Sequence, residues 1–159
     1  MNGKEKAMFG AGCFWGVQAN FDKTPGVLKT TVGYSGGHSE NPSYEEVCSG
    51  KTGHAEVVLI EYDPSIVTYS DLLMRFFEIH NPTTRNRQGW DVGAQYRSSI
   101  MYFNEKQKEV ADRMIQDLES SGVFGRPIVT EVVKAVTFYS AEEYHQKYHE
   151  KHGNVGCPV

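Results

Sequence analysis

Cysteines, long apolar runs and excess charge are all scarce in this sequence of 159 residues. It has three cysteines, an odd number too small for a disulfide scaffold, which favours a transient, catalytic disulfide over a structural one. No apolar stretch approaches the length of a membrane-spanning helix. The 16 basic and 20 acidic residues give a net charge of -4, so composition offers no basic surface for nucleic acid or an anionic membrane.

The first six residues are polar and lack the apolar core of a secretory signal. We therefore expect a cytoplasmic protein, monomeric by default. Aromatic residues are plentiful, with nine tyrosines and eight phenylalanines, and they suggest an aromatic pocket. The length fits a single catalytic domain, 1–159, in which we expect 150–159 to be a mobile tail.

Strand and helix patterns follow the order β-α-β-β-α-β-α-β. This order predicts an α+β fold, a two-layer sandwich with a mixed, mostly antiparallel sheet and flanking helices. Long irregular loops are predicted over 35–53, with a short helical turn at 43–47, and over 83–96. The predicted strands are 4–10, 27–34, 55–62, 97–103 and 128–138, and the predicted helices are 13–22, from the cap Ser70 to before Pro82, from the cap Asn104 to Gly122, and 141–149.

Cys13 lies between the first strand and the first helix, after the small residues Gly10, Ala11 and Gly12. Backbone N–H groups and the helix dipole favour a thiolate over a thiol at such a place. Phe14 and Trp15 would surround it with apolar surface. An ordinary buried cysteine beside two core aromatics fits this local pattern equally well.

Polar side chains that could complete a site occur near other element boundaries: Tyr44, Glu56, Asp91 and Tyr96. Glu56 stands one residue into an otherwise apolar strand. If it faces an aromatic pocket, desolvation raises its pKa and keeps it protonated near neutral pH, as a proton donor requires. If it faces solvent, it is an ordinary strand residue.

Seven segments, in order and at familiar spacing, resemble the motifs of the A-class peptide methionine sulfoxide reductases, over nearly the whole chain. Trp90, beside Asp91, and the short C-terminal end depart from that pattern. The segments are Gly12-Cys13-Phe14-Trp15-Gly16, Gly33-Tyr34-Ser35-Gly36-Gly37, Asn41-Pro42-Ser43-Tyr44, Val47-Cys48-Ser49-Gly50, Thr52-Gly53-His54-Ala55-Glu56, Tyr62-Asp63-Pro64 and Gln95-Tyr96-Arg97-Ser98.

The resemblance implies reduction of methionine S-sulfoxide, free or in proteins, with thioredoxin as the external reductant and no other cofactor or metal. It implies that Cys13 is the nucleophile and Glu56 the acid that protonates the sulfoxide oxygen. The implied substrate-binding residues are Phe14 and Trp15 around the substrate methyl group, Tyr44 and Tyr96 on the oxygen, and Asp91 as a supporting polar residue.

The implied chemistry needs a second thiol, because attack by Cys13 leaves a sulfenic acid that condenses with another cysteine. Cys157 is our candidate resolving residue, since it lies in a glycine-flanked C-terminal segment that could reach the site and then meet thioredoxin. For Cys48 a small buried thiol is the simpler interpretation.

Three alternatives rest on other patterns. Cys13 with His54 or His145 could form a cysteine hydrolase, although no local signature of such enzymes surrounds it. The glycines Gly10 and Gly12 superficially suggest a nucleotide-binding turn, with the wrong spacing. A metal site could be formed by His145, His149, His152 and Cys157, although a solvated polar helix is the simpler interpretation.

Overall fold

The computed structural model describes residues 3–152, except the side chains of His149 and His152. Its strands are β1 (Glu5–Ala11), β2 (Val27–Ser35), β3 (Ala55–Tyr62), β4 (Arg87–Gln88), β5 (Asp91–Val92), β6 (Ser98–Tyr102), β7 (Glu131–Lys134) and β8 (Tyr139–Ser140). Its helices are α1 (Phe14–Asp22), α2 (Tyr44–Cys48), α3 (Tyr69–Glu78), α4 (Glu105–Ser121) and α5 (Tyr148–His152), with 3-10 turns at Ala94–Tyr96 and Glu143–His145.

A six-stranded sheet in the order β7-β6-β1-β3-β2-β8 is the centre of the fold. Only the β6–β7 pair is parallel, and the other four pairs are antiparallel. The prediction of an α+β fold with a mixed, mostly antiparallel sheet is therefore confirmed. β4 and β5 form a separate small hairpin.

The helices pack on one face of the sheet around Phe9 of β1. Its ring lies 5.7 Å from that of Phe21 in α1 and 5.0 Å from that of Phe76 in α3. Residues of a strand alternate between faces, and on β3 Val58 and Ile60 belong to this large core. Glu56 has the same parity, so its side chain also points to the helix-covered face.

The second face of the sheet carries a smaller apolar cluster of Met8, Ala55, Val57 and Met101. The chain from β7 to β8 runs from one edge strand to the other, and Ala135 and Phe138 pack on this cluster. This crossing segment is fastened to β2, because the Ser35 hydroxyl donates to the carbonyl of Thr137 at 2.8 Å.

The structure corrects several predicted boundaries. Thr68, not Ser70, caps α3, because its hydroxyl and the Asp71 carboxylate bond each other's backbone N–H groups in a capping box. Of the strand predicted over 128–138, only Glu131–Lys134 is extended, as β7, and β8 begins after it on the opposite edge of the sheet. The loop 83–96 contains the β4–β5 hairpin.

The helix predicted over 141–149 is a 3-10 turn followed by α5, because Lys147 between them has a positive φ of 57°. α5 extends to His152, so the first residues of the predicted tail 150–159 are helical. The rest of that tail, with Cys157, lies outside the described residues. No helix within 3–152 combines the length and apolar character needed to cross a membrane.

Candidate active site

Cys13 lies where β1 ends and α1 begins. It is the N-cap residue of α1, with φ -59° and ψ 121°, and the first turn of that helix contains no acidic residue. The turn is tight: Gly12 has a φ of 96°, and a Cβ at this position would lie 2.8 Å from the side chain of Gln88. The Cys13 side chain is disulfide-bonded in this structure and partly buried against the main core. It lies at the positive end of a helix dipole, which would favour the thiolate once the disulfide is reduced.

Glu56 is brought beside this turn by the pairing of β1 with β3. Its side chain is buried, with 1% of the residue exposed, and its Oε1 accepts a hydrogen bond from the backbone N–H of Phe14 at 3.2 Å. Oε2 is buried and has no hydrogen-bond partner among the described residues. The Glu56 carboxyl group is therefore bonded to the backbone of Phe14, the residue next to Cys13, in the helix-covered layer.

The environment of Glu56 favours its protonated form. Burial raises its pKa from 4.5 to about 8, the nearby Asp91 carboxylate adds to the rise, and only the Phe14 N–H opposes it. At neutral pH the group is a neutral carboxylic acid. Oε1 then acts as the carbonyl oxygen towards Phe14, and Oε2 can hold a proton.

Tyr44 and Tyr96 both lie near this carboxyl group. Burial raises the pKa of each phenol, and the charge of Glu56 is a further cause for both. Asp91 is also close, since its charge contributes to the raised pKa values of Glu56 and Tyr96. Both phenols are therefore neutral hydrogen-bond donors at physiological pH.

An aromatic cluster surrounds Phe14. Its ring centroid lies 5.7 Å from that of Tyr34, 6.4 Å from that of Tyr44 and 5.4 Å from that of His145. Trp15 stacks on Tyr148, with 3.6 Å between centroids and 3° between planes. Phe14 and Trp15 thus belong to one apolar wall beside the Cys13 turn.

Glu142 and His145 support this wall, and sequence reasoning did not give them this role. One Glu142 oxygen accepts from the Tyr34 hydroxyl and the other from the backbone N–H of Tyr44, both at 3.0 Å. The indole N–H of Trp15 donates to Nδ1 of His145 at 3.0 Å. The only signal was the polar segment 141–149, whose neighbours in space are set by the sheet order.

Of the other two cysteines, the structure describes only Cys48. Cys48 ends α2 and is exposed, which contradicts the prediction of a buried thiol. The reason is that Val47 takes the buried position of this short helix. The side chain of Cys48 is hydrogen-bonded to that of Tyr44, so it lies at the edge of the site.

Neither histidine named for the cysteine-hydrolase alternative is available as a base for Cys13. His54 uses both ring nitrogens on backbone groups, Gly37 N at 3.0 Å and Ser39 O at 2.7 Å. His145 accepts from Trp15 through Nδ1, so its neutral form carries the proton on Nε2 and has no free lone pair.

The nucleotide-binding alternative is also wrong, because β1 is antiparallel to both of its neighbours. For the metal alternative, residues 3–152 contain no cluster of three or more metal-ligating side chains. The side chains of His149, His152 and Cys157 are outside the described part.

A redox-active cysteine at a helix N-terminus, beside a buried carboxyl group and neutral phenols, provides the groups that a thiol-dependent reductase needs to protonate and remove a substrate oxygen. The family model described as "Peptide methionine sulfoxide reductase" matches residues 5–159. The chain is 57% identical over 151 residues to peptide methionine sulfoxide reductase MsrA of Methanosarcina acetivorans, covering 95% of this chain and 80% of the relative. It is 58% identical over 153 residues to MsrA of Methanothermobacter thermautotrophicus, covering 96% and 90%.

A crystal structure of Mxr1 from Saccharomyces cerevisiae in reduced form has a TM-score of 0.90 and 33% identity, covering 97% of this chain and 88% of Mxr1. A second structure, of Mxr1 in complex with Trx2, has the same fold, with a TM-score of 0.65 and 22% identity. This chain belongs to the peptide methionine sulfoxide reductase family, and its activity is the thiol-dependent reduction of methionine sulfoxide.

Proposed function

We propose that Cys13 and Glu56 together reduce the S epimer of methionine sulfoxide, free or in proteins, and that thioredoxin regenerates the enzyme. The observation that carries the proposal is the buried Glu56 carboxyl group bonded to the N–H that follows Cys13, with Oε2 unpartnered among residues 3–152. A sulfoxide sulfur is a poor electrophile until its oxygen is protonated. An acid beside the thiol meets that need.

The reaction then proceeds in three balanced steps. The Cys13 thiolate attacks the sulfoxide sulfur while the proton on Glu56 passes to its oxygen. The OH group then moves from the substrate sulfur to the Cys13 sulfur, the sulfur–sulfur bond formed by the attack breaks, and methionine leaves a Cys13 sulfenic acid and a Glu56 carboxylate. The Cys157 thiol attacks the sulfenic sulfur, a disulfide forms and water leaves. Thioredoxin reduces this disulfide by thiol exchange and becomes oxidised itself.

Tyr44 and Tyr96 are proposed to bind the sulfoxide oxygen, with Asp91 as a supporting polar residue and Phe14 and Trp15 around the substrate methyl group. Two neutral phenols close to Glu56 support this role, because they can donate hydrogen bonds to the oxygen as negative charge develops on it.

Replacing either phenol should slow the oxygen-transfer step. We expect Tyr44→Phe and Tyr96→Phe each to lower its single-turnover rate about tenfold, because the other phenol still donates to the oxygen. The double variant should lose about a hundredfold, the lower end of the effect of removing an oxyanion donor. Rapid-quench measurement of methionine release checks this. The control is Tyr139→Phe, on β8 at the sheet edge, which should be neutral. Wild-type rates in the double variant would remove both phenols from the site.

Removing the resolving thiol should stop recycling and leave the first step intact. Cys157→Ser is expected to release about one methionine per enzyme and then to stop with thioredoxin as reductant. Cys48→Ser is the matched control and should turn over normally. Full cycling of Cys157→Ser, together with loss of cycling in Cys48→Ser, would transfer the resolving role to Cys48.

An assay with the two sulfoxide epimers, with and without thioredoxin, tests the proposal as a whole. We expect turnover of the S epimer only, and continuous turnover only with thioredoxin. Equal rates for both epimers would contradict the proposed oxygen site. The complex of Mxr1 with Trx2 supports thioredoxin as the reductant.

The remaining parts of the proposal concern the whole chain. We propose one catalytic domain, 1–159, whose C-terminal segment 150–159 carries Cys157, acting as a monomer in the cytoplasm. Its partners are the sulfoxide substrate and thioredoxin, with no resident cofactor, metal, nucleic acid or membrane.

A further inference from the structure

Trp90 is the most exposed large apolar residue described, with 90% of its surface accessible. Single exposed apolar residues are common on proteins, but an indole ring presents far more apolar area than most. Val92, two residues further on, is 66% exposed. Both exposed side chains are carried by the β4–β5 hairpin, and we call them together the Trp90 hairpin surface.

The hairpin that carries this surface is fastened tightly. Gln88 bonds the backbone of Asn81 through both ends of its amide, at 2.9 and 2.5 Å. The guanidinium of Arg87 donates to the carbonyl of Gly89 in the turn at 2.8 Å. A rigid hairpin presents an apolar side chain without the entropy cost of ordering a loop on binding.

The hairpin also touches the active site. Gln88 packs against Gly12, the residue before Cys13. Its cross-strand partner Asp91 is close enough to Glu56 to raise the pKa of that acid. Trp90 precedes Asp91 in the turn of this hairpin, so the exposed ring belongs to the same short element that borders the site.

We infer that the Trp90 hairpin surface selects peptide-bound substrates by contacting apolar residues that flank methionine sulfoxide in an unfolded polypeptide. The inference rests on the proposed function of the Cys13–Glu56 site. When a methionine sulfoxide within a polypeptide occupies the pocket, the residues that flank it lie outside, over the pocket rim. These neighbours are expected to be apolar, because methionine is commonly buried in folded cores. Continuity with the active site is what favours this occupant over others.

The test compares Trp90→Ala with the wild type on three S-sulfoxide substrates. These are N-acetyl-methionine sulfoxide methylamide, a pentapeptide with leucine on both sides of the sulfoxide, and the same peptide with glycine there. We expect kcat/KM for the leucine peptide to fall about tenfold, through KM, as for loss of an aromatic anchor. Rates on the other two substrates should be unchanged, and Trp90→Phe should retain most of the preference.

Ile66→Ala is the matched control, because Ile66 is an exposed apolar residue, 62% accessible, on the turn after β3. It should leave all three substrates unaffected. An equal loss on all three substrates in Trp90→Ala would make the residue merely structural and overturn the inference. If Trp90→Ala changes only how the rate depends on thioredoxin concentration, the surface binds the reductant. If Trp90→Ala removes a concentration-dependent dimer, the surface binds a second copy of the chain. Either result overturns the inference.

The proposed function can fail separately. If the wild type does not reduce the small methylamide substrate, the Cys13–Glu56 site itself is misassigned. If it reduces that substrate and Trp90→Ala shows the wild-type preference for the leucine peptide, only the inference about Trp90 is wrong.

Discussion

Cys13→Ser is expected to abolish methionine sulfoxide reduction, with a loss of at least about 10⁴-fold in kcat/KM. A serine hydroxyl stays protonated at neutral pH, and its oxygen cannot take up the substrate oxygen as a sulfenic acid does. The decisive measurement is a single turnover with S-sulfoxide, because it is independent of the reductant. Methionine release by Cys13→Ser at a tenth of the wild-type rate would refute the assignment of the nucleophile.

The control for this variant is Cys48→Ser, which removes an exposed thiol at the edge of the site and should keep the single-turnover rate. Its value is that Cys48 is hydrogen-bonded to Tyr44, so it shares part of the same surroundings. Thermal unfolding of both variants shows whether they are folded. Since a Cys to Ser change is nearly isosteric, both should unfold as the wild type does.

Glu56→Gln should be the second largest effect, lowering the oxygen-transfer rate by about 10²–10⁴-fold, the usual contribution of a positioned proton donor. The amide keeps an oxygen that can accept from Phe14 N–H, so the Cys13 turn should be preserved. Cys13 should still be alkylated by iodoacetamide in the reduced variant. A wild-type reduction rate would remove Glu56 as the acid.

The pKa of Glu56 also sets two pH dependences. The wild-type single-turnover rate should fall as pH rises through about 8, because the acid loses its proton there, and this descending limb should be absent from Glu56→Gln. A solvent isotope effect on the single-turnover rate would show that proton transfer is part of the rate-limiting step. A descending limb that persists in Glu56→Gln would belong to another group.

Folding stability should change in the same pH window. The folded protein keeps the proton on Glu56 up to about pH 8, whereas the unfolded chain releases it above 4.5, so stability falls between these values. The loss approaches about 5 kcal/mol at the upper end, as an order of magnitude. Urea unfolding of Glu56→Gln, which cannot ionise, should therefore show a stability advantage over the wild type that grows with pH. An advantage independent of pH would mean that Glu56 is ionised in the folded state.

Much of the fold follows from local patterns that sequence alone reveals. β3 is apolar on both faces, which indicates a central strand, and it lies between β1 and β2. The stop of α4 at Gly122 follows from its left-handed backbone, with φ of 69°. The shortening of the predicted strand 128–138 to β7, and the start of β8 at Tyr139 on the opposite edge of the sheet, could not be predicted, because periodicity within a segment does not report its partners.

The sequence by itself determined the residue types of the chemistry: a cysteine before a helix, a carboxyl group in an apolar strand, and phenols in two loops. It left open whether Glu56 faced water or the core. Only the tertiary structure decided this, because pairing with β1 puts Glu56 on the helix-covered face, against Phe14 N–H and away from solvent. Glu142 and His145 became part of the site in the same way, since strand order brings residues more than a hundred positions apart into contact.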